Sequence, residues 1–164
     1  MKRITLSLAI LSLIITPAAF AGTATANLNV SASVAAVCTI TTAPVAFGAY
    51  DPVSANASTD LTATGSVTVA CTKGASATVD LGVGGNLSAG TRRMSSGSDF
   101  LNYALYKDGA RTQVWGSALT GGTTLTYNAA SKAPTALTVY GTVPQAQDVT
   151  VGSYSDVVVA TINY

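Results

Sequence analysis

Residues Thr23 to Val34 alternate polar and apolar without a break for twelve positions. An alternation of period two places every apolar side chain on one face of an extended strand. That face comprises Ala24, Ala26, Leu28, Val30, Ala32 and Val34, and no charged residue interrupts either face. Twelve extended residues span about 40 Å, well beyond the usual strand of five or six. The next residues, Ala35-Ala36-Val37, contain none of the Gly, Asn, Asp or Pro that a reversal of direction favours, so the chain is expected to run on, extended, toward Cys38. The segment then projects as an arm with its apolar face unburied. Exposed strands are normally blunted by charge, and this one is not, which marks it for addition to a partner's sheet. The alternative is that residues 23–40 form one long first strand at home.

Beyond the arm the chain is punctuated as an all-β domain. Strands are expected at residues 62–72, 76–83, 101–107, 110–115, 123–127, 135–143 and 156–164, separated by turn residues. Asp108-Gly109, between Leu101–Lys107 and Ala110–Trp115, reads as the turn of a two-residue hairpin of type I′. Pro44 to Pro52 carries Gly and Pro with Phe47 and Tyr50, as a loop with aromatic anchors would. No stretch sustains a helical period. Some eight short strands imply a sandwich or barrel.

The first 21 residues stand apart from this pattern. Lys2 and Arg3 precede an apolar run from Ile4 to Ile15, then Pro17 and the small-x-small site Ala19-Phe20-Ala21, the layout of a secretory signal peptide. The apolar run is too short to cross a bilayer about 30 Å thick. Without Lys2 and Arg3, six basic residues face seven aspartates, and only Arg92-Arg93 are adjacent. That is no footprint for nucleic acid. Cys38 and Cys71, in an exported chain, are expected to form one disulfide, worth about 3 to 4 kcal/mol for a loop of this length. A metal pair or a catalytic thiol is the alternative. Both would lack their usual partners, because the chain has no His and no Glu.

The same absence argues against an enzyme, and no cofactor or metal is expected. No Ser or Thr sits in a nucleophile elbow, the aspartates are scattered singly, and neither Gly84-Gly85 nor Gly121-Gly122 has the Lys and helix start of a phosphate loop. Three features invite other readings. Trp115 with Tyr103 and Tyr106 offers a sugar-stacking platform, hence a secreted carbohydrate-binding module, against ordinary core packing. Arg92-Arg93 offers a grip for an acidic partner, against a solvated loop. The terminal run into Tyr164 offers the last strand of a membrane barrel, against which the aromatic content, 7%, is too low for two girdles.

Several short motifs carry a resemblance. The alternating arm, Cys38-Thr39-Ile40, Phe47-Gly48-Ala49-Tyr50-Asp51-Pro52, Val69-Ala70-Cys71, Leu101 to Tyr106, Trp115-Gly116, Val139 to Pro144, and Gly152 to Asp156 before a terminal strand resemble the spore coat protein U domain family. That family includes subunits of archaic chaperone-usher pili. The resemblance implies an incomplete immunoglobulin-like β-sandwich of pilin type, lacking its last strand and completed by donor-strand exchange. It implies a signal peptide at 1–21, a donor arm at 22–37 and the sandwich at 38–164. Ala24, Ala26, Leu28, Val30, Ala32 and Val34 would be the donor plugs, Cys38 and Cys71 the stabilising disulfide, and the strand ending at Tyr164 would border the acceptor groove. The implied partners are like subunits, a periplasmic chaperone and an outer-membrane usher. The implied function is a structural subunit of a surface fimbria for adhesion and biofilm formation. A secreted coat or matrix protein of the same fold is the alternative.

Overall fold

The computed structural model describes residues 20–164; most of the expected signal peptide lies outside the described residues. The chain divides between Ser33 and Val34. In the first part, residues 20–33 carry no strand or helix, and every side chain among them is exposed.

Val34–Tyr164 holds eight strands. They are β1 (Cys38–Ala43), β2 (Leu61–Cys71), β3 (Ser76–Leu81), β4 (Arg92–Ser96), β5 (Asp99–Tyr106), β6 (Leu125–Asn128), β7 (Thr135–Val143) and β8 (Ala160–Asn163). One sheet has the order β1-β2-β7-β5-β4 and the other β6-β3-β8, with every neighbouring pair antiparallel. The alternating residues of each strand meet between the sheets: Val67, Val69 and Cys71 from β2, Val139 and Val143 from β7, Leu101, Tyr103 and Leu105 from β5, and Val79 and Leu81 from β3. Trp115 joins them with no exposure, its indole N–H donating to the Val79 carbonyl at 2.9 Å. A buried indole with a satisfied N–H is a core residue, so the sugar-platform reading of Trp115 fails.

Cys38 and Cys71 are directly opposite across the β1–β2 ladder, Cα atoms 4.1 Å apart, and are bonded as a disulfide. Thr72 extends this staple outward. Its amide donates to the Val37 carbonyl at 2.9 Å, while its hydroxyl donates to the Ala35 carbonyl and accepts from the Val37 amide.

The structure departs from three strand expectations. The Asp108-Gly109 turn is not type I′, because neither residue has positive φ; that conformation falls on Arg111, at 56°. The Asp108 carboxylate accepts from the Thr112 and Gln113 amides and the Thr112 hydroxyl, which winds a wider turn. Residues 110–115 then pair with β5 only through an isolated Tyr106–Val114 bridge. Arg92-Arg93 lie in β4 rather than a solvated loop or an open grip. Arg92 is 2% exposed, because its guanidinium is absorbed by three main-chain carbonyls. The terminal strand is four residues instead of nine, because Ser155 bridges Ser95 of β4 before the chain crosses to pair with β3.

Asp99 secures the approach to that crossing. Its carboxylate accepts from the Thr150 amide at 2.6 Å, the Phe100 amide at 2.8 Å and the Tyr154 hydroxyl at 3.0 Å. The Thr150 groups first, then Phe100 and Tyr154, lower its pKa from 3.8 to about 2. A carboxylate depressed in the folded state stabilises fully above the unfolded value and loses that contribution as pH falls through the folded one. The melting temperature of the intact chain is therefore expected to drop between about pH 4 and pH 2 by more than that of Asp99→Asn, measured by circular dichroism. Equal slopes would show the contacts to be without effect.

Candidate functional site: an open cleft between the sheets

Two strand edges face the same gap. β1 is the outer strand of the larger sheet, and β8 is the outer strand of the smaller one. In a closed sandwich these edges would be bridged or covered, because unpaired edges and uncovered apolar faces both cost stability. Here a cavity of about 380 Å³ opens between them. Its floor is the core itself, Val67 and Val139 from one sheet and Leu81 from the other, with Leu105 beside them. Its rims are Thr42–Val45 and the segment holding Val157, Val158 and Ala160. The expectation that the terminal segment borders a groove thus corresponds to residues that line this opening.

A second cavity of about 740 Å³ continues beyond the first. It reaches Leu61, Leu101 and Val143 between the Phe47–Pro52 loop and Val149–Ser155. Four residues line both cavities: Val45, Phe47, Met94 and Asp156. The two spaces adjoin at these four residues, which form the neck between them.

Two glycines in strand interiors create the seat for one side of the neck. A Cβ on Gly141 of β7 would lie 2.7 Å from both Val45 Cγ1 and Phe47 Cζ. One on Gly65 of β2 would lie 2.8 Å from Val45 Cγ2 and from the Ala43 and Pro44 carbonyls. Gly at such positions marks a close approach of another segment. The chain leaving β1 therefore settles into a hollow of the inner face, with the Phe47 ring 6.4 Å from that of Tyr103. Tyr50 anchors the far end, its hydroxyl donating to the Pro144 carbonyl and accepting from the Gln147 amide.

Asp156 holds the opposite side. Its carboxylate accepts from the Gly85 amide at 2.7 Å and the Tyr103 hydroxyl at 2.6 Å. Burial and then this bond to Asp156 push the Tyr103 phenol well above its ordinary pKa, so it stays a donor. The rim beyond is apolar and uncovered, with Val157 79% and Val159 66% exposed.

Of the residues singled out as donor plugs, Leu28, Val30 and Val34 are 87%, 89% and 83% exposed, and Ala24, Ala26 and Ala32 are exposed as well. None belongs to the core of its own chain. The neck residues carried no chemical signal in the sequence. Phe47 and Asp156 each sit in a motif of the resemblance, but nothing in either motif marked them as facing the same space.

A family model described as the Spore Coat Protein U domain matches residues 24–161. The chain belongs to the Spore Coat Protein U domain family. It is 42% identical over 167 residues to "Protein U" of Myxococcus xanthus, an alignment that covers 93% of this chain and 92% of the relative. A solved structure, the CsuC–CsuE chaperone–tip adhesion subunit pre-assembly complex from archaic chaperone-usher Csu pili of Acinetobacter baumannii, contains a chain of similar fold. The likeness has a TM-score of 0.52 at 20% identity, covering 80% of this chain and 40% of that one. The spore coat protein U domain described here is all-β, with an immunoglobulin-like sandwich fold. Among its described residues no helix is long and apolar enough to cross a membrane.

Proposed function

We propose that this chain is a structural subunit of a surface fibre, exported through the periplasm and assembled by the chaperone-usher pathway through donor-strand exchange. The observation that carries the reading is an apolar cleft floored by the core, in a chain that also carries an exposed, uncharged arm of matching alternation. In this reading residues 22–37 are the donor arm and 38–164 the acceptor domain. Ala24, Ala26, Leu28, Val30, Ala32 and Val34 are the plugs that enter the cleft of the next subunit. Burying Leu28, Val30 and Val34 alone stabilises the contact by roughly 5 to 8 kcal/mol, before main-chain hydrogen bonds to the free edges of β1 and β8. A head-to-tail contact of this kind does not close on itself and so propagates as a fibre.

A periplasmic chaperone covers the cleft before assembly and an outer-membrane usher exchanges it for the arm. The similar fold of a chain in a chaperone–pilus subunit complex supports these partners. The fibre serves adhesion and biofilm formation, a structural role with no catalytic step. The relationship to Protein U and the family's description favour a second reading, a secreted coat or matrix protein of the same fold.

The two readings share the cleft and differ in the product. Expression of residues 22–164 with and without Thr23–Val34 tests the shared part. The intact chain, produced with its chaperone, is expected to give ladders resistant to mild detergent. The truncated chain is expected to fold only when a peptide of residues 23–34 is supplied. A truncated chain that folds alone as a stable monomer rules out donor exchange, and ladders that form without an usher favour a coat.

A further inference from the structure

The cleft is not uniform along its length. Its two spaces, about 380 Å³ and 740 Å³, adjoin at Val45, Phe47, Met94 and Asp156, which line both. Val45 and Phe47 cannot retreat deeper without displacing β2 or β7, because they already fill the hollow over Gly65 and Gly141. Asp156 cannot swing aside without giving up the Gly85 amide and the Tyr103 hydroxyl. These side chains therefore stand fixed at the boundary between the two spaces, and a strand passing through both is best served by a small side chain there.

The arm has such a pattern. Side chains on one face of a strand recur about every 6.6 Å. Along the apolar face the sequence is Ala24, Ala26, Leu28, Val30, Ala32, Val34. Ala32 is the one small residue with a larger plug on each side. Resting on the donor-exchange reading above, we infer that the arm of a second copy of this chain docks with Ala32 at the neck formed by Val45, Phe47, Met94 and Asp156. Leu28 and Val30 fill one compartment and Val34 the other. The neck sets the register, because sliding the arm by two residues in either direction would drive Val30 or Val34 against Phe47. A slip by one would turn the polar face inward.

The test is compensation across the interface, read as detergent-resistant ladders from full-length secreted chain. Ala32→Leu reduces ladders at least tenfold, Ala26→Leu leaves them, and Ala32→Leu combined with Phe47→Ala or the milder Phe47→Val restores them. A peptide of residues 23–34 blocks wild-type ladder growth, whereas the same peptide carrying A32L does not, and this arm needs no altered subunit. Ladders unaffected by A32L, or an A32L peptide that blocks as well as the parent, overturn the register while leaving donor exchange intact. A wild-type chain that forms no ladders and ignores both peptides overturns donor exchange and the register together.

Discussion

Leu28→Asp abolishes detergent-resistant ladders and leaves unchanged the melting temperature of the domain measured with a wild-type peptide of residues 23–34 bound. The two halves of this result have separate physical grounds. In its own chain Leu28 is 87% exposed and outside the core, so exchanging it there removes no packing. On the donor-exchange reading the same side chain is buried in a neighbour's cleft, which stabilises the contact by about 1.5 to 3 kcal/mol. An aspartate forfeits that and also buries a carboxylate without a partner, at an effective penalty of several kcal/mol. Together these weaken each contact by at least about three orders of magnitude. Asn29→Asp, one residue along on the polar face, is the matched control and keeps the ladder. Size-exclusion chromatography and detergent gels of the two variants read the difference, and ladders persisting in Leu28→Asp would mean that another surface drives assembly.

Arg92→Met has the largest expected effect on the fold itself. The Arg92 Nε donates to the Gly82 carbonyl at 2.8 Å, and Nη2 donates to the Leu81 and Trp115 carbonyls at 2.6 and 3.1 Å. One side chain from β4 thereby holds the end of β3, the glycine turn after it and the segment carrying Trp115. Burial lowers its pKa, and the neighbouring Tyr103, Asp80 and Asp156 work in the other direction. Methionine matches much of the length but none of the donors, so main-chain carbonyls that cannot be mutated away lose their partners. Hydrogen bonds involving a charged group contribute about 1.5 to 3 kcal/mol each, and relief of the buried guanidinium offsets part of the loss. A net loss of ~3 kcal/mol lowers the melting temperature by roughly 10 °C for a chain of this size. Arg92→Lys recovers only part of it, because a point charge cannot span the fork's three acceptors. A melting temperature within about 2 °C of the parent for Arg92→Met would show that water serves those carbonyls equally well.

Where local pattern and tertiary environment agree, the sequence foretells the element. β7 occupies Thr135–Val143, the expected residues, because its β-branched alternation matches a sheet with one buried face. β2 and β3 follow to within two residues at each end for the same reason. β4 escaped notice because Arg92-Arg93-Met94-Ser95-Ser96 has no apolar alternation; its place comes from pairing with β5 and from acceptors that only the fold assembles around Arg92. β8 is shorter than its alternation suggests because Ser155 is claimed by β4, a competition between sheets that no local window contains. The disulfide was legible from two cysteines in a chain expected to be exported. The cleft was legible only in its rim: Val157 and Val158 belong to the expected terminal strand, but the neck joins Val45 and Phe47 to Asp156, more than a hundred positions away.

The position of the Cys38–Cys71 staple matters once subunits are joined by their arms. In such a fibre, tension enters each domain where the arm meets β1, at Val37–Cys38. A strand held only by its ladder could be peeled from that end one hydrogen bond at a time. Here the first residue of β1 is covalently tied to the last residue of β2, so the pull passes at once into a strand flanked on both sides. In a fibre joined by its arms the staple would sit at the point of loading, where a single covalent bond shields the weakest edge from mechanical failure.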